Sequence, residues 1–184
     1  MRTSSLSTSA PTDGVAYPMS TFGDLQDTAK AARSLGARVV AASANVRDRE
    51  SLRAVLDPAV TELERLDVVV ANAGTFTGGT WDQIDEAVMT TTLEVNLRGV
   101  WNTCAISVPH LLERGGSIIC ISSSAEQKAQ PLALAYTASK HGVTGLARAL
   151  ANELAEHSIR VNSIHPIGVL TGLKAPALHD LLVV

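Results

Sequence analysis

The sequence predicts an α/β chain with a parallel sheet, and three observations carry the prediction. Three short apolar runs rich in β-branched residues, Asp67 to Ala71, Ser117 to Ile121 and Ile159 to Ile164, each close on small or turn-forming residues. Helix-length stretches with apolar residues recurring at three and four separate them. Within two residues of the ends of these runs stand Asn72, Ser123 and Pro166. Parallel sheets bind ligands beyond the carboxyl ends of their strands, so these three positions should converge on one edge.

Taken in order, the chain opens on a Ser/Thr-rich segment with one Arg and no hydrophobic stretch, which predicts a disordered polar tail over 1–14. A helix is expected from about Thr21 to Leu35, capped by Ser20 or Thr21 and ended by Gly36. Ala37 to Ala42 reads as a strand. Asp48 suits the N-cap of a helix over Arg49 to Arg65, with Pro58 a candidate kink. Beyond the Asn72-Ala-Gly74 turn, Asp82 to Met89 predicts a short helix. Leu93, Leu97, Val100, Trp101, Cys104, Val108 and Leu111 then form one broad apolar stripe. A last helix is expected over Leu134 to Ala155, with Val143, Leu146, Leu150 and Leu154 as its stripe.

Composition bounds the function. At 184 residues the chain can bury a real core, covering roughly 70 % of its unfolded surface. A hydrophobic content of 46 % is that of a globular protein, and no run reaches the ~20 apolar residues of a membrane span. Net charge of −3 with 3 % aromatics argues against a nucleic-acid surface. The two cysteines, Cys104 and Cys120, fall in a helix and a strand and read as buried thiols. With no signal peptide, a cytoplasmic setting is expected. His110, His141, His157, His165 and His179 have no metal-ligand spacing with either cysteine, so no metal site is expected.

Chemistry concentrates at Tyr136-Thr-Ala-Ser-Lys140. On a helix this i, i+4 spacing puts phenol and ammonium on one face, one turn apart. An ammonium near a phenol favours the phenolate and draws its pKa down from about 10. Such a tyrosine can exchange a proton with an alcohol or carbonyl, and Ser123, thirteen residues ahead, could hold the reacting oxygen. The pair alone also fits an incidental surface pairing; the company it keeps decides against that.

Together, Asn72-Ala73-Gly74, Asn96 within Val-Asn-Leu-Arg-Gly, Ser123, Tyr136 with Lys140, and Pro166 through Thr171 resemble the short-chain dehydrogenase/reductase family from about residue 10 to 171. Ala16 to Leu25, Gly99-Val-Trp-Asn-Thr103 and Val161 to Val169 look like its mycofactocin-coupled branch, which includes carveol-dehydrogenase-like enzymes. The resemblance implies Tyr136 as general acid/base, with Lys140 lowering its pKa and holding the nicotinamide ribose. Ser123 would bind the substrate oxygen, and Asn96 would keep a water in the proton relay by bending its helix. Asn72, Ala73 and Gly74 would line the cofactor cleft, while Pro166, Val169 and Thr171 would pass beside the nicotinamide. Asn45 and Val46 stand where the family receives adenine. The implied cofactor is NAD, with NADP left open. The implied partners are a small alcohol or ketone and a second copy, joined through the helices at 93–112 and 134–155.

Departures from the family pattern shape the remaining expectations. No Thr-Gly-x-x-x-Gly-x-Gly turn occurs, and only thirteen residues follow Thr171. The fold expected is therefore a partial Rossmann-like doubly wound parallel sheet lacking the first two strands and the C-terminal substrate lid. Residues 15–171 would form the domain and 172–184 a divergent tail. Asn45 replaces the usual aspartate, which weakens adenine binding. Glu126 stands where glycine is usual and would be strained if that site needs a positive φ. With two strands missing, Ala37 to Ala42 is expected to move over and pair with Val68 to Ala71, whose apolar edge is otherwise open. Two readings of function stand: an NAD(P)-dependent oxidoreductase of secondary alcohols and ketones, or an inactive fragment of one, at most an association module.

Overall fold

Capping residues fix where the helices begin. Thr21 and Asp24 form a reciprocal capping box at the start of α1 (Phe22–Ser34), and Gly36, at φ +83°, turns the chain out of it. Asp48 accepts the Glu50 N–H at the start of α2 (Arg49–Leu63), which accommodates Pro58 inside it. Asp85 caps α3 (Glu86–Leu93), so this helix begins later than the expected Asp82. A π turn over Glu94–Arg98 joins α3 to α4 (Gly99–Leu111). The last helix, α5, spans Leu134–Leu154. The computed structural model describes residues 19–169 and the backbone of a strand at 5–8.

Five strands are described: β1 (Ser5–Thr8), β2 (Ala41–Ala44), β3 (Val68–Ala71), β4 (Gly116–Ile121) and β5 (Ile159–Ile164). All pairings are parallel, in two sheets ordered β1-β2 and β3-β4-β5. Both α4 and α5 pack on one face of the second sheet. There Val69, Ala71, Ile118, Cys120, Ile159 and Val161 meet Val100, Cys104, Leu111, Val143, Ala147 and Leu154. On the opposite face Val68 and Val70 remain 55 % and 54 % exposed.

A second core of Ala44, Val46, Leu52, Leu56, Val95 and Ile106 ties β2 and α2 to the α3–α4 rod. Gly99 makes that junction possible, because a Cβ there would lie 2.8 Å from Val46 Cγ2.

Two expectations are corrected here. Ser5–Thr8, inside the segment expected to be a disordered tail, pairs with Ala41–Ala44 over four residues. Ladder bonds are made by backbone groups, so an apolar run is not required to form them. The strand expected at 37–42 lies at Ala41–Ala44 and does not pair with β3. Its ladder is taken by β1, and Val46 just beyond it packs against Gly99 of α4. Among the described residues β3 pairs with β4 alone, so the expected gap beside it is present.

Candidate active site

The carboxyl end of β4 and the first turns of α5 build the polar corner. Ser122 Oγ donates to the Lys140 carbonyl at 3.0 Å and meets Thr144 Oγ1 at 3.1 Å, stapling strand to helix. Ser123 follows in extended conformation, and its Oγ accepts the Ala125 N–H at 3.1 Å. Glu126 ends a short 3-10 turn without a positive φ, so the expected strain there is absent.

Lys140 is 3 % exposed, and its Nζ donates to the Ile121 carbonyl at 2.8 Å. Burial pushes its pKa down to about 8. At neutral pH the ammonium is thus still mostly charged, and it stands 5.5 Å from the centre of the Tyr136 ring. Phe76 supports that ring edge-on, with centroids 5.1 Å apart.

Asn96 is fully buried and locks the opposite wall. Its Oδ1 accepts the Thr75 N–H at 2.7 Å, while Nδ2 donates to the Thr75 carbonyl at 2.9 Å and to Ser139 Oγ at 3.1 Å. Ser139 Oγ in turn donates to the Tyr136 carbonyl at 2.7 Å. Asn96 sits within the π turn, where the Gly99 N–H reaches back to the Glu94 carbonyl. Gly74 completes the wall: a Cβ there would lie 3.5 Å from Asn96 Oδ1 and 3.7 Å from Lys140 Nζ. Ala73 is half-buried and Asn72 exposed at the start of the same turn.

The β4–β5 ladder continues past both strands. Ser122 N–H donates to the Ile164 carbonyl at 2.8 Å and Ser124 N–H to the Pro166 carbonyl at 3.0 Å. Pro166 is therefore fixed beside Ser123, while Val169 is exposed and Thr171 lies outside the described residues. Glu126 Oε2 stands 3.1 Å from His165 Nδ1, near enough to pair with a protonated imidazole but without hydrogen-bond alignment. His165 Nε2 meets Ser163 Oγ at 2.9 Å.

Asn45 and Val46 lie apart, at the end of β2. Asn45 Oδ1 accepts the Arg47 N–H at 3.0 Å, so this acceptor is partly committed to its own turn. Val46 is a core residue at 1 % exposure, and Asn102 Nδ2 takes its carbonyl at 2.9 Å. Arg49 Nε donates to Asn102 Oδ1 at 2.8 Å, and its guanidinium stacks 3.8 Å over Trp101.

Sequence reasoning missed Thr75, Ser122, Ser139 and His165 as parts of this corner. Ser122 and Ser139 adjoin Ser123 and Lys140, which is the one signal that could have drawn attention to them. Among the described residues no cluster of metal-ligating side chains occurs, and no helix is long and apolar enough to cross a membrane.

Known proteins are similar to this chain in sequence and fold. Residues 15–181 match the short chain dehydrogenase family. A (-)-trans-carveol dehydrogenase of Rhodococcus erythropolis is 45 % identical over 168 residues, covering 85 % of this chain and 58 % of that protein. The crystal structure of carveol dehydrogenase from Mycobacterium avium in complex with NAD superposes with TM-score 0.88 at 43 % identity, covering 91 % of this chain and 62 % of the other. A short chain dehydrogenase from Mycobacterium paratuberculosis bound to NAD gives TM-score 0.90 at 41 % identity, over 97 % of this chain and 68 % of that one. This chain spans about three fifths of the length of the curated relatives it matches, 57 % to 62 % for three of them. A family match over residues 15–181, with relatives at 49 % and 45 % identity over most of the chain, places the chain in the short-chain dehydrogenase family.

Proposed function

We propose that this chain belongs to an NAD-dependent oxidoreductase that interconverts a secondary alcohol and a ketone, with Tyr136 as acid/base. The observation that carries the reading is the buried Lys140 ammonium, anchored to the Ile121 carbonyl beside the Tyr136 ring. The positive charge favours the phenolate, so Tyr136 can take the alcohol proton in oxidation and return it in reduction. Ser123 Oγ has hydrogen-bonding capacity left after accepting the Ala125 N–H and would hold the substrate oxygen. Asn96 acts through its backbone, because its side-chain amide is committed to Thr75 and Ser139. The π turn around it would keep a water in the proton relay.

The residues present fit the nicotinamide end of the cofactor. Lys140 Nζ uses one of its three hydrogens on Ile121, which leaves donors for a ribose hydroxyl. Asn72, Ala73 and Gly74 would line the cleft, and Pro166, Val169 and Thr171 would flank the ring. Asn45 and Val46 would meet adenine, Asn45 through the remaining acceptor capacity of its carbonyl. When bound, NAD supplies the carrier of hydride; the protein positions and polarises.

Likeness to a carveol dehydrogenase and to an NAD-bound structure favours a secondary alcohol as substrate and NAD as cofactor. The motifs at Ala16 to Leu25, Gly99 to Thr103 and Val161 to Val169 would add tightly held NAD renewed through mycofactocin coupling. A groove of Leu93, Leu97, Trp101 and Leu146 on the α3–α4 rod and α5, with Trp101 43 % exposed, suits a second copy of the chain.

The test is to purify the protein, denature it and search the supernatant for NAD(H) or NADP(H) by mass spectrometry. Stoichiometric nucleotide is the expected result, followed by turnover of secondary alcohols. Protein that is empty and also fails to bind added nucleotide would sink the reading and leave association as the remaining role.

A further inference from the structure

The core beneath this corner holds two reactive side chains to which the proposed oxidoreduction gives no task. Cys104 on α4 and Cys120 on β4 are both fully buried, and their sulfurs lie 3.9 Å apart. They are the chain's two cysteines, and their neighbours in the core are aliphatic: Val100, Ile118 and Val143 belong to the same cluster. In such surroundings each thiol finds its polar contact in the other. The contact with Cys120, together with burial, pushes the Cys104 thiol up; the same contact draws Cys120 down against its own burial, so Cys120 ionises first.

We propose that Cys104 and Cys120 are an oxidation site, a dithiol that a hydroperoxide converts to an intramolecular disulfide pinning α4 to β4. The Cys120 thiolate attacks the peroxide oxygen, giving a sulfenic acid and, once protonated, an alcohol or water. The Cys104 sulfur then displaces the sulfenic oxygen as water, and the S–S bond forms. Two electrons pass from the sulfurs to the peroxide, and the balance closes.

A disulfide needs its sulfurs about 2.05 Å apart, so the pair must close by about 1.8 Å from its present separation. Such a contraction acts on both walls of the candidate site. Downstream of Cys120, the Ile121 carbonyl holds Lys140 and the strand delivers Ser123. Upstream of Cys104, α4 grows out of the π turn that carries Asn96. Full burial makes the first step wait for local opening of α4 from β4, so oxidation is slow and selective for small oxidants.

The experiment exposes the purified chain to hydrogen peroxide, blocks residual thiols with iodoacetamide in denaturant, and records intact and tryptic masses. The expected product has lost two hydrogens, takes no iodoacetamide, and yields peptide 99–114 joined to 115–128 until a reductant separates them. Its unfolding midpoint should rise, since the closed loop restricts the unfolded chain. In Cys104→Ala, dimedone should trap a sulfenic acid at Cys120, and no linked peptide should appear. Full alkylation of both cysteines after prolonged peroxide, stepwise oxidation of each without a link, or disulfides only between chains would each overturn the proposal. None of these readouts depends on nucleotide binding or turnover, so this inference and the oxidoreductase reading can fail separately.

Discussion

Two polar corners of the molecule are built by opposite means. Around Lys140 the polar groups are buried and each is consumed by a neighbour: Asn96 by Thr75 and Ser139, Ser122 by Lys140 and Thr144. Around Asn45 the side chains of Asn45 and Arg49 are half-buried, and a single buried side chain, Asn102, links the β2–α2 loop to α4. The first corner is rigid because an unpaired buried polar atom there is expensive; the second keeps its shape mainly through Val46 against Gly99. Mutation should therefore cost more at the first corner and spread less at the second.

The largest expected effect is on chemistry. Tyr136→Phe should lower turnover of a secondary alcohol by roughly 10²–10⁴-fold while lowering the unfolding midpoint far less than Asn96→Ala does, because the ring and its packing on Phe76 remain. A parallel fall in stability would move Tyr136 from the reaction to the scaffold. Next comes Asn96→Ala, which strands the buried Thr75 N–H and carbonyl. It should cost about 3 kcal/mol in denaturant unfolding. A loss near zero would mean that water replaces the amide and that the corner is less rigid than its bonding implies.

Lys140 offers a third test through pH. Its folded pKa of about 8 lies below the ordinary 10.5, so between these values the unfolded chain holds a proton that the folded chain has released. Stability should thus rise by roughly 3 kcal/mol as pH climbs from about 8 to 10.5, in the wild type but not in Lys140→Met. Equal slopes for the two proteins would show that the ammonium carries no burial penalty.

At the second corner, Asn102→Ala should cost about 1–2 kcal/mol and raise amide exchange in β2 and α2 more than in β4 and α5. Uniform loosening would erase the distinction between the corners. The smallest effect is expected for Asn45→Asp. Exchanging a neutral acceptor for a charged one is worth about 1 kcal/mol, so NAD should bind about fivefold tighter. Unchanged affinity in titration calorimetry would remove Asn45 from the adenine site.

Much of the first corner was legible before folding was considered. Tyr136 and Lys140 advertise themselves by i, i+4 spacing, and Ser123 by ending an apolar run. Thr21 and Asp48 mark helix starts through short-range bonds that need no tertiary partner. What stayed hidden was every contact between distant segments: Ile121 with Lys140, Thr75 with Asn96, Glu126 with His165. Glu126 looked like a strained substitution, yet its backbone is ordinary and its carboxylate faces an imidazole. Ser5–Thr8 looked like tail because apolar periodicity carries no record of a backbone ladder.

By itself the sequence determined the capped starts of α1 and α2, the apolar faces, the parallel α/β class and the residue types gathered at the candidate site, because these follow from contacts a few residues long. Tertiary structure decided which strands pair, that Lys140 is buried against Ile121, and that two cysteines sixteen positions apart meet in the core. The physical reason is that burial and strand order arise only when distant segments exclude water together. Lys140's depressed pKa is that exclusion made measurable.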